Sequence, residues 1–133
     1  MAHALYGHDG PCKNIHGHTY HLSVTLLGEA INDDTNPKNG MVIDFGELKS
    51  LLKKSIIDVF DHALVLNGAS PHKNLEVLHR QFDKIILTPF QPTCENLIID
   101  IKNRIKASFT LGNIKLIGLR LDETPTSSPD GFL

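Results

Sequence analysis

The chain has 133 residues, 13 basic and 15 acidic, for a net charge of −2, with 41% apolar and 21% charged side chains. One domain spanning residues 1–133, large enough for a real core, is the expected organisation, and the composition is that of a soluble globular protein. No basic run tracks a phosphate backbone, no apolar stretch approaches the roughly 20 residues that span a bilayer, and the first residues do not make a signal peptide. Direct nucleic-acid binding and a membrane span are thereby argued against, and a cytoplasmic location is expected.

Met1 to Tyr6 is short for a complete edge strand, and Gly7 to Lys13, with Gly10-Pro11, reads as a loop. Ile15 to Leu27 predicts one long strand, placing His16, His18, Tyr20, Leu22, Val24 and Leu26 on one face. Gly28 to Gly40 is a connection, and Met41-Val42-Ile43 predicts a short returning strand. Asp44 with Glu47 three residues on is a capping pattern. The stripe Phe45, Leu48, Leu51, Leu52, Ile56, Val59 and Phe60 then predicts a helix over about Phe45 to Phe60, ended by Asp61-His62. Ala63 to Asn67 leads into a polar excursion, Gly68 to Asp83, with room for one helical turn.

Ile85-Ile86-Leu87 predicts a brief buried strand, broken by Pro89 and Pro92. Thr93 can cap a second helix lined by Leu97, Ile98, Ile101, Ile105 and Phe109. Asn113 to Asp122 predicts the last strand, with Ile114, Leu116, Gly118, Arg120 and Asp122 on one face and Lys115, Ile117, Leu119 and Leu121 on the other. Glu123-Thr124-Pro125-Thr126 ends it with a carboxylate at the rim, and Ser127 to Leu133 reads as a tail. This order predicts an α+β domain with two helices on one face of an antiparallel sheet.

Eight histidines without a tag-like run point to metal or acid–base chemistry, and Cys12 and Cys94 are expected as reduced thiols. The focus is Cys12-Lys13-Asn14-Ile15-His16-Gly17-His18. Strand alternation puts both imidazoles on one side, with Gly17 clearing the other. A zinc ion held there needs a third ligand, and His3 is the best candidate, because its segment can fold back as the partner strand. Three neutral imidazoles with an open fourth position describe a catalytic zinc site. With Cys12 as fourth ligand the same cluster would be a closed structural one.

Six motifs in order, Ala2-His3-Ala4-Leu5, Cys12 with His16-Gly17-His18, Gly40 to Phe45, Asp61-His62 with Leu64, Pro92-Thr93 with Glu95-Asn96, and Leu121 with Glu123-Thr124, resemble the 6-pyruvoyl-tetrahydropterin synthase family. The three residues between Cys12 and His16 are similar to the bacterial 6-carboxy-tetrahydropterin synthase branch, which serves queuosine biosynthesis. The resemblance implies the T-fold, in which sheets join into a barrel-forming trimer and two trimers stack as a hexamer with active sites between protomers. It also implies a zinc-dependent lyase taking 7,8-dihydroneopterin triphosphate and water to 6-carboxy-tetrahydropterin, acetaldehyde and triphosphate. The alternatives are a pyruvoyl-type synthase on the same substrate and a pterin-binding or zinc protein without turnover.

Carried onto this chain, the resemblance gives zinc to His3, His16 and His18, and makes Cys12 the base at a side-chain carbon with Asp61 and His62 as relay. Asp61-His62 can equally be a helix end whose histidine satisfies loose carbonyls. Glu123 would pair with adjacent N–H donors of the pterin ring, against the plainer reading of a solvated strand-end charge. Thr93, Cys94 and Glu95 would add ring contacts at a helix start, although any helix start favours Thr and Glu, and Cys94 stands where serine, threonine or alanine is more familiar. Lys13 is close enough in sequence to serve the triphosphate. His8, His21, His72 and His79 carry no expected role.

Overall fold

Ala63-Leu64-Val65-Leu66 is apolar without alternation, as a strand buried on both faces reads. In the computed structural model, which describes residues 1–108 and 112–123, this run is β4 (Leu64–Asn67), an inner strand of a four-stranded sheet. The sheet order is β2-β1-β4-β5, with β1 at Ala2–His3, β2 at His16–Gly17 and β5 at Ile85–Thr88. Val65 and Leu66 are almost fully buried. The expectations placed on Phe109, on Thr124 to Thr126 and on the tail from Ser127 lie outside the described residues.

The wholly antiparallel sheet expected from the sequence is corrected. β1 pairs antiparallel with β2, but β1 with β4 and β4 with β5 run parallel. The reason lies in the excursion after β4, which folds as a 3-10 turn (Pro71–Asn74) and a short helix, α3 (Glu76–Gln81). That is long enough to carry the chain back to the end where β4 began, and such a crossover delivers the next strand parallel.

The run Ile15 to Leu27 is not one strand. It leaves the first sheet after β2 and enters a second, two-stranded antiparallel sheet as β3 (His21–Leu27), paired with β6 (Lys115–Asp122). Alternation survives the transfer: even-numbered residues from His16 to Leu26 are half-buried and the odd ones exposed. The face assignment of β6 is corrected by a bulge. Thr25 pairs with Gly118 and Leu26 with Leu116, so Ile117 is the extra residue, and Leu116, Leu119 and Leu121 all reach the same core.

Met41 to Ile43 is not a strand either. Ile31 exchanges backbone hydrogen bonds with Gly40 and Met41, and the ladder goes no further. The helix beyond it starts as expected: the Asp44 carboxylate accepts from the backbone N–H of Gly46 and Glu47 and opens α1 (Phe45–Leu52). A π turn (Lys53–Ile57) joins α1 to α2 (Asp58–Phe60). Phe45, expected on the apolar stripe, is instead 77% exposed in the first turn. Asp44→Ala should remove about 1 kcal/mol of stability, read as a lower urea midpoint at unchanged slope, since two N–H groups lose their acceptor.

α4 (Cys94–Ser108) buries Leu97, Ile101 and Ile105. They close the core against Ile56 and Phe60 of the first helical run, and Val65. Tyr20, Leu22 and Val24 pack on this cluster from the second sheet. The architecture is mixed α+β. Among the described residues no helix is long and apolar enough to cross a membrane.

Candidate functional site

The antiparallel register sets His3 opposite His16, and directly opposed residues share a face with Cα atoms about 5 Å apart. His18 follows His16 at a spacing of two, and its N–H donates to the Met1 carbonyl at 3.1 Å, so the pairing holds as far as this residue. Three imidazoles therefore converge from two short strands. One ligand atom from each of His3, His16 and His18 lies within 4.8 Å of the others.

The ring nitrogens are sorted by their partners. His3 Nδ1 lies 2.7 Å from the Pro92 carbonyl and His16 Nδ1 lies 2.8 Å from the Asn14 carbonyl. A carbonyl only accepts, so each Nδ1 carries the proton, and in the neutral ring Nε2 then presents a lone pair. These two Nε2 atoms face each other at 3.0 Å. Two lone pairs at that distance repel unless a cation lies between them. His3 is buried, and burial, with the neighbouring His16 and His18 rings, holds its pKa below the ordinary histidine value despite the opposing Pro92 carbonyl and Glu123 charge. A metal ion is thus a better fit than a proton on His3. Backbone carbonyls that orient metal-binding imidazoles through Nδ1–H are the usual outer support of such sites.

Glu123 lies beside the triad. Tyr20 donates its hydroxyl to Glu123 Oε1 at 2.9 Å, and Glu123 Oε2 is 3.9 Å from His18 Nε2. Burial and this carboxylate push the Tyr20 phenol well above its ordinary value. Burial, then the charges of Glu123, Glu95 and Asp122, push the Cys94 thiol up to about 11, and its Sγ donates to the Leu121 carbonyl at 3.5 Å. The Cys94 thiol is thereby held in its neutral form near pH 7. Thr93 is occupied as a cap, its Oγ1 accepting from the Asn96 N–H at 3.3 Å, and Glu95 is exposed in the first turn of α4.

Cys12 is half-buried in a 3-10 turn (Pro11–Lys13), where its carbonyl accepts from the Leu5 N–H at 2.9 Å. It is not part of the three-histidine cluster, so the closed site with a cysteine as fourth ligand is not formed here. Asp61 and His62 are elsewhere. With Met1, Ala2, Gly17, His18, Thr19 and Ala63 they line a cleft of about 480 Å³. His18 thus belongs both to the triad and to this cleft, while Ala2 and Gly17 alternate with the triad residues His3 and His16 along the paired strands.

The Asp61-His62 turn is unusual. Asp61 is extended, His62 has φ 58°, and the Ala63 N–H donates to the Phe60 carbonyl at 3.1 Å, a type II turn whose third position ordinarily takes glycine or asparagine. His62 Nδ1 is 3.1 Å from Asp61 Oδ2 with the imidazole 91% exposed. Nor does His62 satisfy the helix end. Lys84 Nζ does so, donating to the carbonyls of Asp58 and Asp61 at 2.8 and 2.5 Å.

With this geometry in view, comparison with known proteins is direct: the family model described as 6-pyruvoyl tetrahydropterin synthase matches residues 1–130. The chain belongs to that family. Within it, the chain is 40% identical over 129 residues to a 6-carboxy-5,6,7,8-tetrahydropterin synthase of Haemophilus influenzae, covering 96% of this chain and 88% of the relative. A synthase of the same name from Rickettsia felis is 36% identical over 124 residues, covering 92% and 86%. One from Aquifex aeolicus is 32% identical over 126 residues, covering 90% and 74%. The expected resemblance and the expectation of an enzyme both hold at this level.

Sequence reasoning missed the carbonyls of Pro92 and Asn14 and the part played by Lys84. Backbone acceptors leave no mark in a sequence, and a lysine 23 residues from Asp61 gives no local signal. Tyr20 was placed on the right face but given no role. Its spacing of two from His18 is the signal that could have found it.

Proposed function

We propose that the protein is a zinc-dependent lyase converting 7,8-dihydroneopterin triphosphate and water to 6-carboxy-5,6,7,8-tetrahydropterin, acetaldehyde and triphosphate, a step toward queuosine. The observation that carries the metal is the pair of opposed Nε2 lone pairs on His3 and His16, with His18 completing the set. The names of the relatives support the product.

In this reading His3, His16 and His18 hold zinc, which when bound supplies Lewis-acid stabilisation of negative charge developing on the substrate side chain. Cys12 takes the proton from a side-chain carbon. His62, oriented by Asp61, moves a proton in the same sequence of steps. Glu123 accepts from the ring N–H and amino group of the pterin. Cys94, Thr93 and Glu95 border the ring at the start of α4, with Thr93 also committed to its cap.

Assembly belongs to the same reading. In this reading Asp61 and His62, which line a cleft with Ala2, Gly17 and His18, serve the triad of a neighbouring protomer. Among the described residues β3 and β6 pair only with each other, and Leu27, Ile99 and Ile117 stand exposed near them. A barrel of such sheets, as trimers stacked into a hexamer, would cover these edges. Such an enzyme, acting on a small molecule, would work in the cytoplasm.

The test is incubation of zinc-loaded protein with 7,8-dihydroneopterin triphosphate, reading pterin mass and acetaldehyde together. Equimolar carboxy-pterin and acetaldehyde are expected. A pyruvoyl-pterin without acetaldehyde would move the chain to the sister activity. No turnover by a fully zinc-loaded oligomer would overturn the enzymatic reading.

A further inference from the structure

We infer that Tyr20 is the positioning residue for Glu123, fixing through its hydroxyl the carboxylate that receives the pterin ring; this rests on the ring-binding reading of Glu123 above. In the β3–β6 ladder His21 pairs with Asp122. Continuing that antiparallel register by one step sets Tyr20 opposite Glu123, with both side chains on one face. The strands end at His21 and Asp122, so no assigned ladder pair holds Glu123. Its carboxylate direction depends on side-chain partners, and the Tyr20 hydroxyl at 2.9 Å is the hydrogen bond it has among those described.

Tyr20 is itself held firmly. Its ring packs against the hydrophobic core and meets the rings of His18 and His3 edge-on, at centroid distances of 5.7 and 6.3 Å. The same face of the chain thus carries His16, His18 and Tyr20 in succession. Two of these belong to the triad, and the third transmits that fixed geometry to the carboxylate. One carboxylate oxygen taken by a phenol still has a second lone pair, and the other oxygen lies 3.9 Å from His18 Nε2, so both can accept from a planar pair of N–H donors. A hydroxyl aimed at a carboxylate is a charge-assisted bond, stronger than a neutral one.

The experiment uses the zinc-loaded full chain carrying Tyr20→Phe, which keeps the ring and removes only the hydroxyl. Zinc per chain and melting temperature should match the wild type. The KM for 7,8-dihydroneopterin triphosphate should rise about tenfold with kcat within about twofold, and the Kd for neopterin, followed by pterin fluorescence, should weaken by the same factor. Because Tyr20 acts through Glu123, adding Tyr20→Phe to Glu123→Gln should change neither constant further. Wild-type constants in Tyr20→Phe, additive losses in the double variant, or loss of zinc would each overturn the inference. Wild-type protein that binds neopterin without turnover would sink the proposed reaction while leaving this inference to the binding data. Wild-type protein that binds no pterin would overturn both.

Discussion

His16→Ala protein should emerge from dialysis without zinc and without measurable turnover, while remaining folded. Loss of an outer partner of a metal-binding histidine lowers metal affinity about 10–100-fold. Removing one of three direct ligands goes further, and it also removes one of the two opposed lone pairs that make this spot favourable for a cation. His16 is a cleaner probe than His3. Truncating His3 would strip the buried Pro92 carbonyl of its donor, a loss of about 1–3 kcal/mol that would mix folding with metal binding. The Asn14 carbonyl released by His16→Ala lies among exposed residues and can take water instead. Zinc per chain by emission spectroscopy is the first readout. The second is the melting temperature: in the wild type it should rise with added zinc, by the equivalent of about 2.7 kcal/mol at a hundredfold excess over Kd, and in the variant it should not move. His16→Ala retaining one zinc per chain would place the metal elsewhere and remove the basis for the lyase.

How much of this was legible in advance follows the range of the interactions concerned. The triad is written in strand period: His16 and His18 at a spacing of two, and His3 on a segment able to fold back beside them. The two main helices are written in apolar spacing and caps, and both Asp44 and Thr93 cap as expected. What was misread depended on distant partners. Leu64 to Asn67 is a strand because β1 and β5 flank it, yet a short apolar run without alternation looks the same in a helix, a strand or a link. Parallel pairing was hidden because it depends on where the excursion returns the chain. The break at His18 to Tyr20 was invisible because the alternation runs through it unbroken. The bulge at Ile117 is half visible: the last strand carries apolar residues on both of its expected faces, and the reason is that one residue there has no partner. Asp61 and His62 are expected as a pair and lie 3.1 Å apart, but the sequence could not show that they share a cleft with Ala2, Gly17 and His18.

His62→Gly should leave stability within about 1 kcal/mol of wild type and lower turnover about 10²–10⁴-fold. The two numbers come from different parts of the residue. The backbone at φ 58° is a conformation that glycine adopts freely and a histidine adopts at a loss of about 1–3 kcal/mol. Glycine relieves that strain but gains more freedom in the unfolded chain, which offsets much of the benefit. The side chain has no structural duty to lose: it is exposed, its partner Asp61 is exposed too, and the helix carbonyls it might have capped are already held by Lys84. An imidazole kept in a strained turn, aimed into an open cleft and paired with a carboxylate is what proton transfer needs and what packing does not. Denaturant unfolding and kcat on the same preparation decide the matter. A large loss of stability with turnover retained would make His62 a structural cap and return the relay to the chemistry of Cys12 alone. Full stability with turnover lost would identify the cleft as the half of the active site that each protomer lends to its neighbour, and mixing His62→Gly with His16→Ala protomers should then restore part of the activity, since some mixed interfaces would combine an intact triad with an intact Asp61-His62 pair.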